Sequence, residues 1–179
     1  MRLLLALLFP TMLHAQAPLD RQLIAAADRG DAARVKKLIA QGANVNAKDE
    51  KQDSAFLIAS ANGHTEVVKL ALAAGADLKS TNRYGGTGLI PACHHGHLET
   101  VRLLLTTKID VNHVNRLGWT ALLEAVILGD GGAAHTEIVR LLLAHGADPR
   151  IADRDGVTAL EHARRRGYGG MVQLLAKAG

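Results

Sequence analysis

Glycine returns in this 179-residue chain at a fixed interval, and that interval constrains the fold more than any other feature. Gly30, Gly63, Gly96 and Gly129 are spaced by 33 residues, and Gly167 follows after 38. A second series, Gly42, Gly75, Lys108 in the same slot, and Gly146, has the same spacings. Around these points recur Gly42-Ala43-Asn44-Val45-Asn46, Gly75-Ala76-Asp77-Leu78 and Gly146-Ala147-Asp148-Pro149. Each is preceded by a helix-patterned apolar run, as in Val101-Arg102-Leu103-Leu104-Leu105 and Ile138-Val139-Arg140-Leu141-Leu142-Leu143. A period of this length means a repeat architecture, because one such unit has too little apolar face to bury alone and must stack on its neighbours. Composition agrees: 30 Ala and 28 Leu against five aromatic residues favour helices packed closely on small side chains over a sandwich or barrel.

These residues resemble the ankyrin repeat, with its Thr-Pro-Leu-His opening, its Gly-His step, a leucine-rich helix and Gly-Ala-Asp-Val-Asn. The resemblance covers residues 18–179 as five units, about 18–49, 50–82, 83–115, 116–153 and 154–179. It implies an all-α solenoid of five helix-turn-helix units with β-hairpin finger loops. The opening motif departs from the family, reading Ser54-Ala55-Phe56-Leu57, Thr87-Gly88-Leu89-Ile90, Thr120-Ala121-Leu122-Leu123 and Thr158-Ala159-Leu160-Glu161. Each helix start therefore keeps its hydroxyl but lacks the family's proline. Ala59, Ala92, Ala125 and Ala163 fall in equivalent inner-helix slots, where a larger side chain would push units apart. Glycines 30, 63, 96, 129 and 167 are expected to end the inner helices in the left-handed conformation, and Lys108 in that conformation would cost about 1 kcal/mol. The insertion Asp130 to Ala134 falls in the turn joining the helices of the fourth unit, either as a tolerated bulge or as a binding loop.

Residues 1–17 have the layout of a secretory signal peptide: Arg2, an apolar run from Leu3 to Leu13, and Ala15-Gln16-Ala17. Cleavage falls after Ala17, which would leave Pro18 at the new N-terminus, or after Ala15. The run is short of the roughly 20 residues a membrane span needs, so no membrane association is expected once it is removed. The rest carries 20 basic against 17 acidic residues, spread evenly along the chain, which argues against a nucleic-acid partner. A lone cysteine, Cys93, allows neither an intramolecular disulfide nor a cysteine-based zinc site, and its small-residue slot reads as a buried, inert thiol, with a reactive thiol left open by its neighbours His94 and His95.

The resemblance implies binding of a protein partner through finger tips and the exposed face of the inner helices. Aligned on the units, those slots hold Arg83, Tyr84, His94 and His95 in the third; Arg116, Leu117, Trp119, Ile127 and Leu128 in the fourth; and Arg154 and Arg165 in the fifth. Exposed aromatics and arginine are common interface anchors, so an apolar centre with an arginine-rich rim is expected. For Trp119 a second reading is open, local packing on its own finger, and Ile127 and Leu128 likewise could pack beneath the longer fourth turn.

Chemistry finds little purchase. His94, His95 and His97 are the one metal-like group, but His97 shares the Gly-His step with His64 and His135, and adjacent helical residues point about 100° apart, so His94 and His95 are not expected to converge. Glu124 occupies an inner-helix slot held elsewhere by Ile58, Pro91 and His162, and needs a partner, either His162 or finger backbone. Arg164-Arg165-Arg166 reads as a polar cap on the last unit or as an anion cluster. No catalytic constellation, metal or cofactor is expected. The expectation is a monomeric, non-catalytic protein-binding module in the bacterial periplasm or outside the cell. Its likeness to small exported bacterial ankyrin proteins leaves two narrower roles open, helper of a peroxide-detoxifying enzyme or antitoxin, with a secreted effector or an enzyme further off.

Overall fold

The computed structural model describes residues 9–179, with side chains from residue 18 onward. The start of the expected signal peptide, and the side chains of all of it, lie outside the described residues. Among the described residues ten helices form five antiparallel pairs: α1 (Phe9–Asp28) with α2 (Ala32–Ala40), α3 (Ala55–Ala61) with α4 (Thr65–Ala73), α5 (Leu89–His94) with α6 (Leu98–Leu105), α7 (Ala121–Ile127) with α8 (Ala133–Ala144), and α9 (Ala159–Arg165) with α10 (Gly169–Ala178). Odd-numbered helices stack on one another as an inner layer, and even-numbered helices form the outer layer. None of them is long and apolar enough to cross a membrane.

Small residues allow this stacking. Ala59, Ala92, Ala125 and Ala163 are each wholly buried, as are Ala27, Ser60, Cys93 and Val126 one residue further on. Arg164 occupies the latter slot in α9 and is exposed, as a polar outer face of a final unit requires. Burial, and secondarily Glu124, pushes the Cys93 thiol well above its ordinary range, so it stays a thiol.

Hydroxyls start three of the inner helices. Ser54, Thr120 and Thr158 accept hydrogen bonds from the amides of Leu57, Leu123 and Glu161, and Glu161 completes a capping box. The third unit departs from this expectation. There Pro91 has no amide to continue the ladder, the Ile90 amide donates to the Thr87 carbonyl at 3.2 Å, and α5 begins a residue late, after Gly88. The Thr87 hydroxyl is left buried without a hydrogen-bond partner.

The inner helices end as expected at Gly30, Gly63, Gly96 and Gly167, all with φ of +70 to +72°. A ring from the following unit lies over the first three. A Cβ on Gly63 would come within 2.5 Å of the His97 ring, which donates through Nε2 to the Ala61 carbonyl at 3.0 Å. His64 reaches Asp28 and His135 reaches His94 in the same way, and in the last unit Tyr168 replaces histidine, its hydroxyl donating to the Gly129 carbonyl. Gly129 itself corrects the expectation: the left-handed residue of the fourth unit is Gly131, beneath the Tyr168 ring, because the insertion moves the turn two residues on. Ala133 and Ala134 then join α8, so part of the insertion lengthens the outer helix rather than forming a loop. Asp130 closes the turn by accepting from the Gly132 amide and the His135 ring, both at 2.8 Å.

Lys108 is a second correction. It does not take the left-handed conformation of Gly42, Gly75 and Gly146, so the expected penalty does not arise. The Thr107 hydroxyl instead donates to the Leu104 carbonyl at 2.6 Å and accepts the Ile109 amide, closing the helix end with a side chain.

Candidate partner-binding groove

The fingers were expected as β-hairpins, yet the described residues contain no strand, only one isolated antiparallel bridge between Ala152 and Thr158. Side chains hold each tip instead. Asp49, Asn82, Asn115 and Asp153 each accept two backbone amides through Oδ1, from the residues two and four further on, at 2.9 to 3.0 Å. Such an Asx turn closes a loop without a ladder. The tips turn through left-handed Gly85, Gly118 and Gly156, and through Gln52 at φ +65° in the second unit. Sequence reasoning passed over these four residues, although they recur at the same 33, 33 and 38 spacing as the glycines.

Arginines link one finger to the next. The Arg116 side chain crosses Gly85 and donates through Nη1 to the Arg83 carbonyl at 2.9 Å, and Arg154 crosses Gly118 to the Arg116 carbonyl. The expected rim arginines 116 and 154 are thus exposed but act as struts. Arg83 lies over the Tyr84 ring, 4.8 Å from its centroid.

Between these fingers and the inner helices of units two to four lies a groove of about 360 Å³. Of the candidates, Arg83, Tyr84, His94, His95, Leu117 and Leu128 line it. Arg116, Arg154 and Arg165 are exposed outside it, the last on α9. Trp119 and Ile127 are half-buried against the core and do not line it. Four large apolar side chains are exposed among the described residues, and Tyr84 (50%), Leu117 (45%) and Leu128 (42%) all open on the groove; Val114 is the fourth. Leu57, Ile58, Ile90 and Pro91 complete its apolar wall, which therefore extends onto the second unit.

Glu124 lies at the groove, only 6% exposed. Its partner is neither His162 nor finger backbone: the Asn115 side-chain amide donates to Oε1 at 2.8 Å, and His94 Nδ1 stands 3.6 Å from Oε2. His162 pairs with Asp153 of its own finger at 2.7 Å. Asn115 therefore holds the fingertip with its oxygen and Glu124 with its nitrogen. Burial raises the Glu124 carboxyl to about 7, against the opposing hydrogen bond from Asn115. Burial, then His95 and His135, lowers the proton affinity of His94. Asp53, on the second finger, is raised by burial and by Asp49, while Arg83, Lys48 and Lys51 offset part of the rise.

The His94 and His95 rings do converge, contrary to the expectation from helical spacing. They stack at 4.2 Å, with His94 the last residue of α5 and His95 its C-cap. Among the described residues no three His, Cys, Asp or Glu side chains are placed to hold a metal ion.

The family profile described as ankyrin repeats (3 copies) matches residues 23–115 and again 108–179. An ankyrin repeat domain from Acinetobacter baumannii AYE, known from its crystal structure, is 54% identical, with a TM-score of 0.86 over 88% of this chain and 80% of that one. The ankyrin repeat protein EF0377 is 40% identical, with a TM-score of 0.84 over 87% of this chain and 79% of its own. No curated protein matches the chain.

Proposed function

The chain belongs to the ankyrin-repeat family, and from that premise we propose that it is a monomeric, non-catalytic module that holds a partner protein in the groove of units two to four, working in the bacterial periplasm or outside the cell. Ankyrin domains generally mediate protein–protein interactions and are typically not enzymes. One observation carries the choice of surface: three of the four exposed large apolar side chains among the described residues, Tyr84, Leu117 and Leu128, open on one groove. An apolar patch gathered in a concave site and flanked by Arg83 has the composition of an interface core. The export layout of residues 1–17 supports the location.

Affinity capture from the periplasmic fraction, with Tyr84→Ala and Leu117→Asp as controls, tests the reading. A partner retained by the wild type and lost from both variants, which melt like the wild type, is the expected result. Equal retention by both would refute this surface. Fractionation of tagged cells tests the location, and protein confined to the cytoplasm with an uncleaved leader would refute it.

A further inference from the structure

We propose that the groove receives one basic side chain of the partner, an arginine or lysine whose head group pairs with Glu124 while its aliphatic stem lies along Leu117, Leu128 and Tyr84; this rests on the groove being the partner's seat. One charge at this groove is left unanswered. Glu124 is nearly buried, one of its two oxygens accepts from Asn115, and no Lys or Arg lies within ion-pair distance of it among the described residues. Its nearest cationic candidate, His94, stands beyond hydrogen-bond reach at 3.6 Å, and its surroundings disfavour the protonated ring. A buried carboxylate without a counter-charge is costly, and an incoming cation removes that cost.

Asp53, the other carboxylate at the groove, is less buried than Glu124, and Arg83, Lys48 and Lys51 offset part of its rise. The second oxygen of Glu124 is thus the acceptor the chain leaves open. A volume of about 360 Å³ is far more than a bare ion fills. Apolar walls ending on a carboxylate that has no Lys or Arg against it match the long apolar stem and charged tip of a basic side chain.

Agmatine, the alkylguanidinium of an arginine side chain, and its neutral urea counterpart are the probes, titrated into the 15N-labelled protein at pH 8. The expected result is saturable binding of agmatine at about millimolar Kd, with shifts at Asn115, His94 and Leu117, and at least tenfold weaker binding of the urea. Glu124→Gln, whose spectrum is otherwise unchanged, should lose agmatine binding by the same factor. Equal binding of the two probes, an unchanged Kd in Glu124→Gln, or no saturable shift would each overturn the proposal. A partner lost from Leu117→Asp but retained by Glu124→Gln would overturn it while leaving the groove as the binding surface. Capture that fails even with the wild type tells against the groove reading itself, and is distinct from any of these results.

Discussion

Replacing Glu124 by glutamine should stabilise the protein at alkaline pH and leave it unchanged in acid. The carboxyl rises from its ordinary 4.5 to about 7 in the folded chain, chiefly because it is buried. Between those two values the folded state binds more protons than the unfolded one, so stability falls as pH rises through the interval. Below pH 4.5 the group is protonated in both states and costs nothing; above pH 7 the full cost of a buried charge is present. At 1.36 kcal/mol per unit, the interval corresponds to about 3 kcal/mol. Glutamine keeps the oxygen that accepts from Asn115 and never ionises. Asn115 of the finger faces the site in both proteins, the buried Cys93 thiol stays protonated throughout, and the surroundings of His94 disfavour the charge that would couple to Glu124, so the difference reports Glu124. Urea unfolding of both proteins at half-unit steps from pH 4 to pH 9 should show variant and wild type coinciding near pH 4, parting through neutrality, and differing by about 3 kcal/mol, or roughly 6–12 °C in Tm, above pH 8. A difference that does not change with pH, or a variant less stable at pH 8, would refute the reasoning.

Five further substitutions probe the frame around the site. Gly63→Ala should cost about 3 kcal/mol, since it combines a left-handed alanine with displacement of the His97 ring, whereas Gly75→Ala, with the same backbone sign but nothing within 4 Å, should cost only about 1 kcal/mol; thermal melts separate them. Thr87→Val should stabilise by about 1 kcal/mol because the hydroxyl it removes is buried and unpaired, while Thr120→Val should lose about 1 kcal/mol with its helix cap, both read from urea midpoints. Asn115→Asp keeps an oxygen for the fingertip, as Asp49 and Asp153 do, but sets a like charge beside Glu124; it should destabilise by about 2 kcal/mol at pH 8 and by much less at pH 5 in the same assay.

The solenoid was legible because it is periodic. Glycine spacing, the helix-start hydroxyls and the buried alanines all repeat, and whatever repeats can be read by aligning the chain with itself. The fingertip residues Asp49, Asn82, Asn115 and Asp153 were legible on the same principle, although two units hold Asp and two hold Asn in that slot. What escaped was what breaks the period. Pro91 left Thr87 without its cap, the insertion moved the left-handed turn from Gly129 to Gly131, and Thr107 relieved Lys108 of the conformation its slot implied. Glu124 shows a different limit. Alignment names its slot but not that a fingertip nine residues earlier folds back to meet it, nor that His94 of the preceding unit stands opposite. Tyr84 and Leu117 are exposed as expected; for Trp119, Ile127 and Leu128 exposure and packing were both left open, because a slot specifies a direction and not how far the side chain reaches, and of the three only Leu128 is exposed.

The ring laid over each glycine makes the joint between units a standard part. His64, His97, His135 and Tyr168 each reach back to a backbone carbonyl of the unit before, and the joint survives both the change from imidazole to phenol and an inserted stretch in the turn. It also runs one way, every unit gripping its predecessor. A whole unit could therefore be excised or duplicated and the cut faces would still fit, whereas a deletion of half a unit would spoil the fit on both sides of the gap. Arrays of this kind can change length in evolution by steps of one unit, and the groove can be lengthened or shortened without being redesigned.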